Sequence, residues 1–375
     1  MISMRRGWRG LKTAFENWWW SVDHVLFYIF CILIATGLLL SLATSPSASA
    51  SNHFANPFHY FIRHLIFATA GFVGMIAVSL LEPLNARRFA VLVLAGSLAA
   101  MVFIIFAGYE AKGAQRWLRF GSFSLQPSEF LKPAFIVTAA WLFSRTRAQA
   151  PLARLFAFVI YGLIVILLMK QPDLGQTILI SISFFLVFFF SGISWRWIAG
   201  IGAFCLSSLY GAYAFFPYVA ARVQHFITPS GDGNSQTDRA LQALTGGGLF
   251  GRGPGEGIIK RILPEAHTDY IFSVAVEEYG TVAALVIIAL FATIVLRGFV
   301  WALRLTDQSE QLAVAGLSTL IGLQAAINIA VNLHISPPEG MTLPFLSYGG
   351  SSLLAMSLTA GFLLAFTRRR PGGFE

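Results

Sequence analysis

Long apolar runs recur along this chain, and they restrict its fold more than any other feature. Each is about 20 residues long, enough to cross ~30 Å of hydrocarbon as a helix. They fall at about 24–40, 58–81, 89–106, 155–169, 177–190, 198–216, 270–296, 312–333 and 353–366, with one more opening at Ser128-Glu129. Of the 375 residues, 56% are hydrophobic and only 11% are charged, with a mean hydropathy of +0.70. A soluble fold would lack the polar surface to cover so much apolar chain. The expected fold class is an all-α integral membrane protein of about ten transmembrane helices. No separate polar domain is visible. A single membrane domain, 24–367, is expected between an interfacial segment, 1–23, and a short tail, 368–375.

The formal net charge of +9 does not point to nucleic acid, because membrane proteins concentrate Lys and Arg in their cytoplasmic loops. Ten spans place both termini on one side. With that side as the cytoplasm, fifteen of the 26 Lys and Arg lie on inner segments and nine on outer loops. Both termini are therefore expected inside. The lead segment carries Arg5, Arg6, Arg9 and Lys12, then Trp18-Trp19-Trp20, a basic stretch followed by an aromatic anchor at headgroup level. The first apolar run is too long for a signal-peptide core, so no cleavable signal is expected. Cys31 and Cys205 both sit in apolar runs and form no disulfide or metal pattern.

Eight of the nine outer cations fall in two loops, three before the fourth span and five in the long loop at about 218–268. Basic residues against the usual bias suggest an anionic ligand on that face; ordinary solvated surface is the alternative. The centre of the long loop, 246–257, is Gly-rich and reads as flexible, and its spacing fits no phosphate-binding loop. Where the loop meets the eighth span, Glu265, His267 and Asp269 occupy alternate positions. A carboxylate at that border sits half out of water, which raises its basicity and suits proton transfer. The plainer reading is that Thr268 and Asp269 only cap the next helix.

Further charges lie where hydrocarbon is expected. Glu129 and Lys132 are three apart on a helix that opens with Ser128 as its cap, so they share a face and can pair. They either line a pathway or simply fix packing. Glu277 and Glu278 follow Asp269 by about two turns, and adjacent residues diverge by ~100°, so at most one should face its side. Asn328 and Asn332 read as amides bonding across helices. The run 184–190 reads as lipid contact, and 108–127 as a polar loop.

Five segments together resemble a known family. They are Lys112-Gly-Ala-Gln-Arg-Trp117, Gln126-Pro-Ser-Glu-Phe-Leu-Lys132, Gln171-Pro-Asp-Leu-Gly175, Pro264-Glu-Ala-His-Thr-Asp-Tyr270 and Leu343-Pro-Phe-Leu-Ser-Tyr-Gly-Gly-Ser-Ser352. In this order, over nearly the whole chain, they resemble the SEDS family of shape, elongation, division and sporulation proteins. Gly340-Met-Thr-Leu-Pro344 is closer to the division members, since elongation members usually carry proline in place of Thr342. Two departures stand out. Glu339 replaces a customary Lys, which puts an anion-binding role there in doubt, and Tyr270 replaces the commoner Phe.

The resemblance implies a peptidoglycan glycosyltransferase that polymerises lipid II on the outer membrane face. A class B penicillin-binding protein would be its partner for crosslinking. Asp269 would be the catalytic acid–base residue, with Glu129 and Lys132 as the functional intramembrane pair. Lys112, Arg116, Arg119, Lys260 and Arg261 are candidates to offset the charge of the leaving pyrophosphate, and His267 and Ser351 are further substrate-binding candidates. A divalent cation, Mg or Mn, is another way to offset that charge, although no ligand cluster is evident. Inversion at the anomeric carbon is expected. A transporter of the lipid-linked precursor and a non-catalytic division scaffold are the competing readings.

Overall fold

The computed structural model describes residues 15–51, 54–111, 114–121, 123–145, 149–192 and 236–369, with isolated positions between 200 and 224. Most of these residues are helical. Among the described residues, six helices are long and apolar enough to cross a membrane: α1 (His24–Ser51), α2 (His59–Ser79), α3 (Pro83–Ala107), α5 (Ala150–Lys170), α8 (Ile271–Arg304) and α9 (Gln308–Asn332). Shorter helices are α4 (Pro127–Phe143), α6 (Leu174–Phe190) and α10 (Gly350–Phe366), and the polar α7 (Gln236–Gly247) lies in the long loop. The span expected at 198–216 lies outside the described residues.

The expectation of an all-α chain needs one correction. Within 108–127, read above as a loop, β1 (Tyr109–Ala111), β2 (Ala114–Phe120) and β3 (Phe123–Leu125) form an antiparallel sheet in the order β1-β2-β3. Leu118 pairs with Leu125 and Phe120 with Phe123, so a tight turn at Gly121 reverses the chain. A three-residue strand carries too little alternation to be legible by itself. The Ser/Ala/Pro stretch after the first span is also structured. Helix α1 runs through Pro46 to Ser51, and the hydroxyls of Ser45 and Ser49 donate to Pro57 O at 2.8 and 3.1 Å.

Inside a bilayer, lipid tails are as apolar as side chains, so close packing and hydrogen bonds hold helices together. The run 184–190 shows this. Phe184 and Phe188 are buried against Phe143, and Phe184 stacks on Phe135 with ring centroids 5.2 Å apart. Only Phe189 and Phe190 stay exposed, so half of the expected lipid face is core. At the end of the bundle away from Asp269, Asp23 accepts from Arg297 Nε at 2.9 Å and from the Trp301 indole, tying α1 to the far part of α8.

Helix α8 has 34 residues, about 50 Å of axis, far more than the hydrocarbon needs. It breaks at Gly280, whose φ of 80° and ψ of −178° suit only glycine. The break exposes backbone groups that must find partners at membrane depth. The Gly-rich stretch supplies them. Arg252 N donates to Glu277 O at 2.9 Å and Gly253 N to Glu278 O at 3.0 Å, while Thr281 N donates to Gly248 O at 3.0 Å. A Cβ on Gly280 would collide with Leu249 O. This stretch is therefore a fixed partner of α8 rather than a flexible loop.

Candidate functional site

The polypeptide around Asp269 is held by its backbone. The amides of Thr268, Asp269 and Tyr270 all donate to Glu265 O, at 3.1 to 3.3 Å, closing one tight turn before α8. The carbonyl of Asp269 accepts from Asn328 Nδ2 at 2.9 Å and Asn332 Nδ2 at 3.0 Å. Asn328 also donates to Met341 O at 2.7 Å, and Asn332 Oδ1 accepts from Ser273 Oγ at 2.7 Å. Two amides one turn apart on α9 thus clamp three chain segments. The Asp269 side chain is half-buried, and its Oδ2 lies 3.9 Å from where a Cβ on Gly340 would stand. Tyr270 occupies the N-cap position of α8, and its own side chain makes no capping bond.

The same 336–349 loop links this carboxylate to the buried ion pair. Lys132 Nζ lies 2.9 Å from Glu129 Oε2, with side chains only 0% and 5% exposed. Both partners have further bonds. Lys132 donates to Gln324 Oε1 at 2.9 Å, and Gln324 Nε2 donates to Thr342 O at 3.0 Å. Glu129 Oε1 accepts from Gln176 Nε2 at 2.7 Å. The helix opens two residues earlier than the sequence suggests, with Gln126 at the cap and Pro127 first, and Ser128 Oγ accepts from Gln126 Nε2. Glu129 still falls in the first turn, where a helix N-terminus favours an anion.

A third carboxylate belongs to this cluster and was not singled out from the sequence. Asp173 starts α6, accepts from Gln176 N at 3.4 Å and lies 3.5 Å from Arg116 Nη1. Burial pushes its carboxyl above the usual range, and the Arg116 guanidinium pulls against that. Arg116 also donates through Nε to Gln171 O at 2.9 Å and to Pro172 O, so β2 grips the turn that presents Asp173. Glu339 packs on the next turn. A Cβ on Gly175 would come within 2.7 Å of Glu339 Oε2, so the glycine leaves room for the Glu339 side chain where it stands. Gln176 and Gln324 were likewise missed. The signals were present as an amide three residues after Asp173, and as Gln324 one turn before Asn328.

The remaining predicted cations divide. Arg119 is exposed on β2, and Lys112 lies outside the described residues. Lys260 is buried, pairing with Glu278 and donating to Gly255 O at 2.8 Å. Glu277 accepts from the amides of Ile258 and Ile259 at 2.7 and 2.8 Å, so both acids turn to the loop and neither is spent on Asp269. Arg261 is exposed. It borders a hollow of about 280 Å³ that runs from Ser47 and Ser51 on α1 to Glu265 and His267. A second hollow of about 630 Å³ shares Ser47, Ser51, Lys260 and Arg261 and continues down α1 past Pro46 to Leu42. His267 packs on Tyr60, with ring centroids 4.5 Å apart, and its carbonyl accepts from Tyr348 N at 2.9 Å. Burial pushes the Tyr348 hydroxyl above its usual range, with Arg63 opposing. Ser351 is buried in the first turn of α10, while its neighbour Ser352 meets Thr342 Oγ1 at 2.6 Å. Among the described residues, no three His, Cys, Asp or Glu side chains converge as a metal-ligand set.

Comparison with known proteins places this arrangement in a family. Residues 23–371 match the model of the FtsW/RodA/SpoVE cell cycle proteins. A probable peptidoglycan glycosyltransferase FtsW of Caulobacter vibrioides is 47% identical over 364 residues, covering 97% of this chain and 93% of that protein. A protein of the same description in Geobacter metallireducens is 34% identical and covers 93% of this chain and 96% of its own length. A chain of a solved peptidoglycan synthase complex superposes with a TM-score of 0.76 at 26% identity, over 92% of this chain and 97% of that one. The crystal structure of Thermus thermophilus RodA matches in fold with a TM-score of 0.68 at 24% identity, over 93% and 97% of the two chains. A family match of nearly the whole length, together with close relatives across it, shows that this multi-pass membrane protein belongs to the FtsW/RodA/SpoVE family of cell cycle proteins.

Proposed function

We propose that the protein is a peptidoglycan glycosyltransferase that polymerises lipid II, as its relatives' descriptions suggest, and that it serves septal wall synthesis. The observation that carries this reading is the pair of adjoining hollows along α1. The larger begins beside apolar Leu42, both border the Arg261 cation, and the smaller ends at Glu265 and His267 in the segment that presents Asp269. A substrate with a lipid tail, a pyrophosphate and sugars needs those three surroundings in that order.

In the proposed reaction, the sugar 4-hydroxyl of one lipid-linked chain attacks the anomeric carbon of the other. A new C–O bond forms, the bond to the pyrophosphate breaks, and the configuration inverts. Asp269 accepts the hydroxyl proton, and the electron pair leaves with the lipid pyrophosphate. Arg261, at the border of both hollows, would balance that charge, while Asn328 and Asn332 hold the Asp269 backbone. The Glu129–Lys132 pair anchors the 336–349 loop through Gln324. This reading puts ten spans in the cytoplasmic membrane, with both termini inside and the Asp269 end outside. A single-span class B penicillin-binding protein is the proposed crosslinking partner.

Asp269→Asn keeps the size and one acceptor but cannot take a proton. Glycan formation from lipid II by the purified protein with its partner should fall ~10²–10⁴-fold, while lipid II binding is retained. A variant that polymerises like wild type would remove Asp269 from the mechanism. Movement of lipid II across liposome membranes, without polymerisation by wild type, would favour a transporter.

A further inference from the structure

Helices α1 and α8 carry a common depth mark. At the end of the bundle away from Asp269, Asp23 accepts from Arg297 Nε at 2.9 Å, which sets the two residues at one level. A hydrocarbon layer of ~30 Å takes ~20 residues of helix from there. Along α1 the count ends near Ala43, and back along α8 it ends near Glu277. One loop touches both places. Ala43 lines the hollow of about 630 Å³ together with Gly255, Lys260 and Arg261, and Lys260 pairs with Glu278. The Gly-rich stretch therefore lies at the far boundary of the hydrocarbon, level with the break at Gly280.

What it presents at that depth is apolar. Gly248 and Gly251 hold φ of 58° and 80°, and the Gly251 amide donates to Gly247 O at 2.8 Å. The resulting turn projects Leu249 and Phe250, which are 68% and 82% exposed. Its backbone is fixed to α8, since Thr281 N donates to Gly248 O at 3.0 Å and Val282 N to Leu249 O at 3.4 Å. On α8 the exposed side chains just past the break are Val282, Leu285 and Val286, so the apolar face of the helix carries on to the turn bonded to it. The bonding at the break fits the same depth. Backbone groups freed by a kink in water are met by solvent, whereas at membrane depth the protein must supply their partners.

From this geometry we infer that the turn at 248–251 is a membrane wedge, with Leu249 and Phe250 inserted among the acyl chains of the leaflet at the Asp269 end. The occupant is bulk lipid, because the depth and the adjoining face of α8 both call for acyl chains. A soluble partner could not reach this level, and a second membrane protein would cover the same residues only when present. The insertion keeps the Arg261 border of the hollow at the leaflet surface. It does not depend on the proposed reaction.

The test places a nitroxide on Leu249→Cys and, separately, on Phe250→Cys, in a background of Cys31→Ala and Cys205→Ala. The full-length protein is reconstituted alone in vesicles of phosphatidylethanolamine and phosphatidylglycerol. Spin relaxation by oxygen, which partitions into lipid, is compared with relaxation by a water-soluble nickel chelate. Leu285→Cys on α8 is the lipid reference, and Gln236→Cys, exposed at the start of α7, is the water reference. At both wedge positions the oxygen-to-nickel ratio should approach the Leu285 value and exceed the Gln236 value several-fold. Both side chains are exposed, and unchanged thermal unfolding would show that each labelled protein is folded. A ratio near the Gln236 value at either position would put the turn in water and overturn the wedge. Protection from both reagents would also overturn it in favour of a protein contact, with another copy if it grows with protein density and within the chain if it does not.

Discussion

Two buried Glu–Lys pairs lie in this protein, and they differ in what surrounds them. Glu129 and Lys132 sit on one helix, and their remaining bonds go to side chains of other helices, Gln176 and Gln324. Through Gln324 the pair reaches Thr342 in the loop beside Asp269. Lys260 and Glu278 join a loop to the broken helix α8, and the other Lys260 bond goes to Gly255 O in that same loop. Glu277, next door, is occupied by backbone amides. The first pair is thus wired into a side-chain network that a substrate can perturb, whereas the second closes the loop's own backbone account. A charge buried at membrane depth is not by itself a sign of chemistry; the kind of partner it keeps is.

Double neutralisation separates the two most strongly. Removing one member of a buried pair strands the other and costs ~3–5 kcal/mol, while removing both often costs little. Lys260→Met alone should lower thermal stability, and Lys260→Met with Glu278→Gln should restore most of it along with activity. Lys132→Met and Glu129→Gln should each abolish polymerisation, and the double variant should regain stability but stay inactive. If the Glu129/Lys132 double variant polymerises normally, the two pairs are alike and both are structural.

A smaller effect is expected at the clamp on Asp269. Asn328→Ala deletes the bonds to Asp269 O and Met341 O. A hydrogen bond between helices in a membrane contributes roughly 0.6 kcal/mol on average, so two should change the rate of polymerisation about tenfold or less. That loss should appear as a lower maximal rate with lipid II binding intact. A variant that loses binding and rate in proportion would place Asn328 in substrate contact instead of behind the carboxylate.

What the sequence revealed follows the range of each interaction. Glu129 and Lys132 were legible because three residues on a helix fix their proximity. The spans were legible because a hydrophobic run reports its own length. Asp173 was passed over because the cation that marks it, Arg116, lies on a strand formed by a segment read as loop. The Gly-rich stretch was misread for a related reason. Glycine signals freedom in isolation, yet here it permits close backbone contact with α8, and nothing within 246–257 announces the break at Gly280. Glu277 and Glu278 were judged by direction on an ideal helix, whereas the loop wraps far enough to meet both.

Asp173 offers the finest test of how a site carboxylate differs from a structural one, because its cation comes from β2 and not from its own helix. Burial raises its folded-state affinity for a proton, and Arg116 lowers it. A carboxyl with a raised folded pKa contributes its stability fully below the unfolded value, about 3.9, and loses it as pH rises through the folded value. Asp173→Asn has no proton to lose, so wild type should weaken relative to this variant as pH climbs from the acid side. Arg116→Gln removes the opposing charge and should carry that weakening to higher pH. Thermal unfolding of the three proteins across pH 4–8 would show it as a fall that comes at higher pH in Arg116→Gln than in wild type and is missing in Asp173→Asn. Parallel curves for wild type and Arg116→Gln would mean that the guanidinium holds the Gln171–Pro172 carbonyls and leaves the Asp173 proton alone.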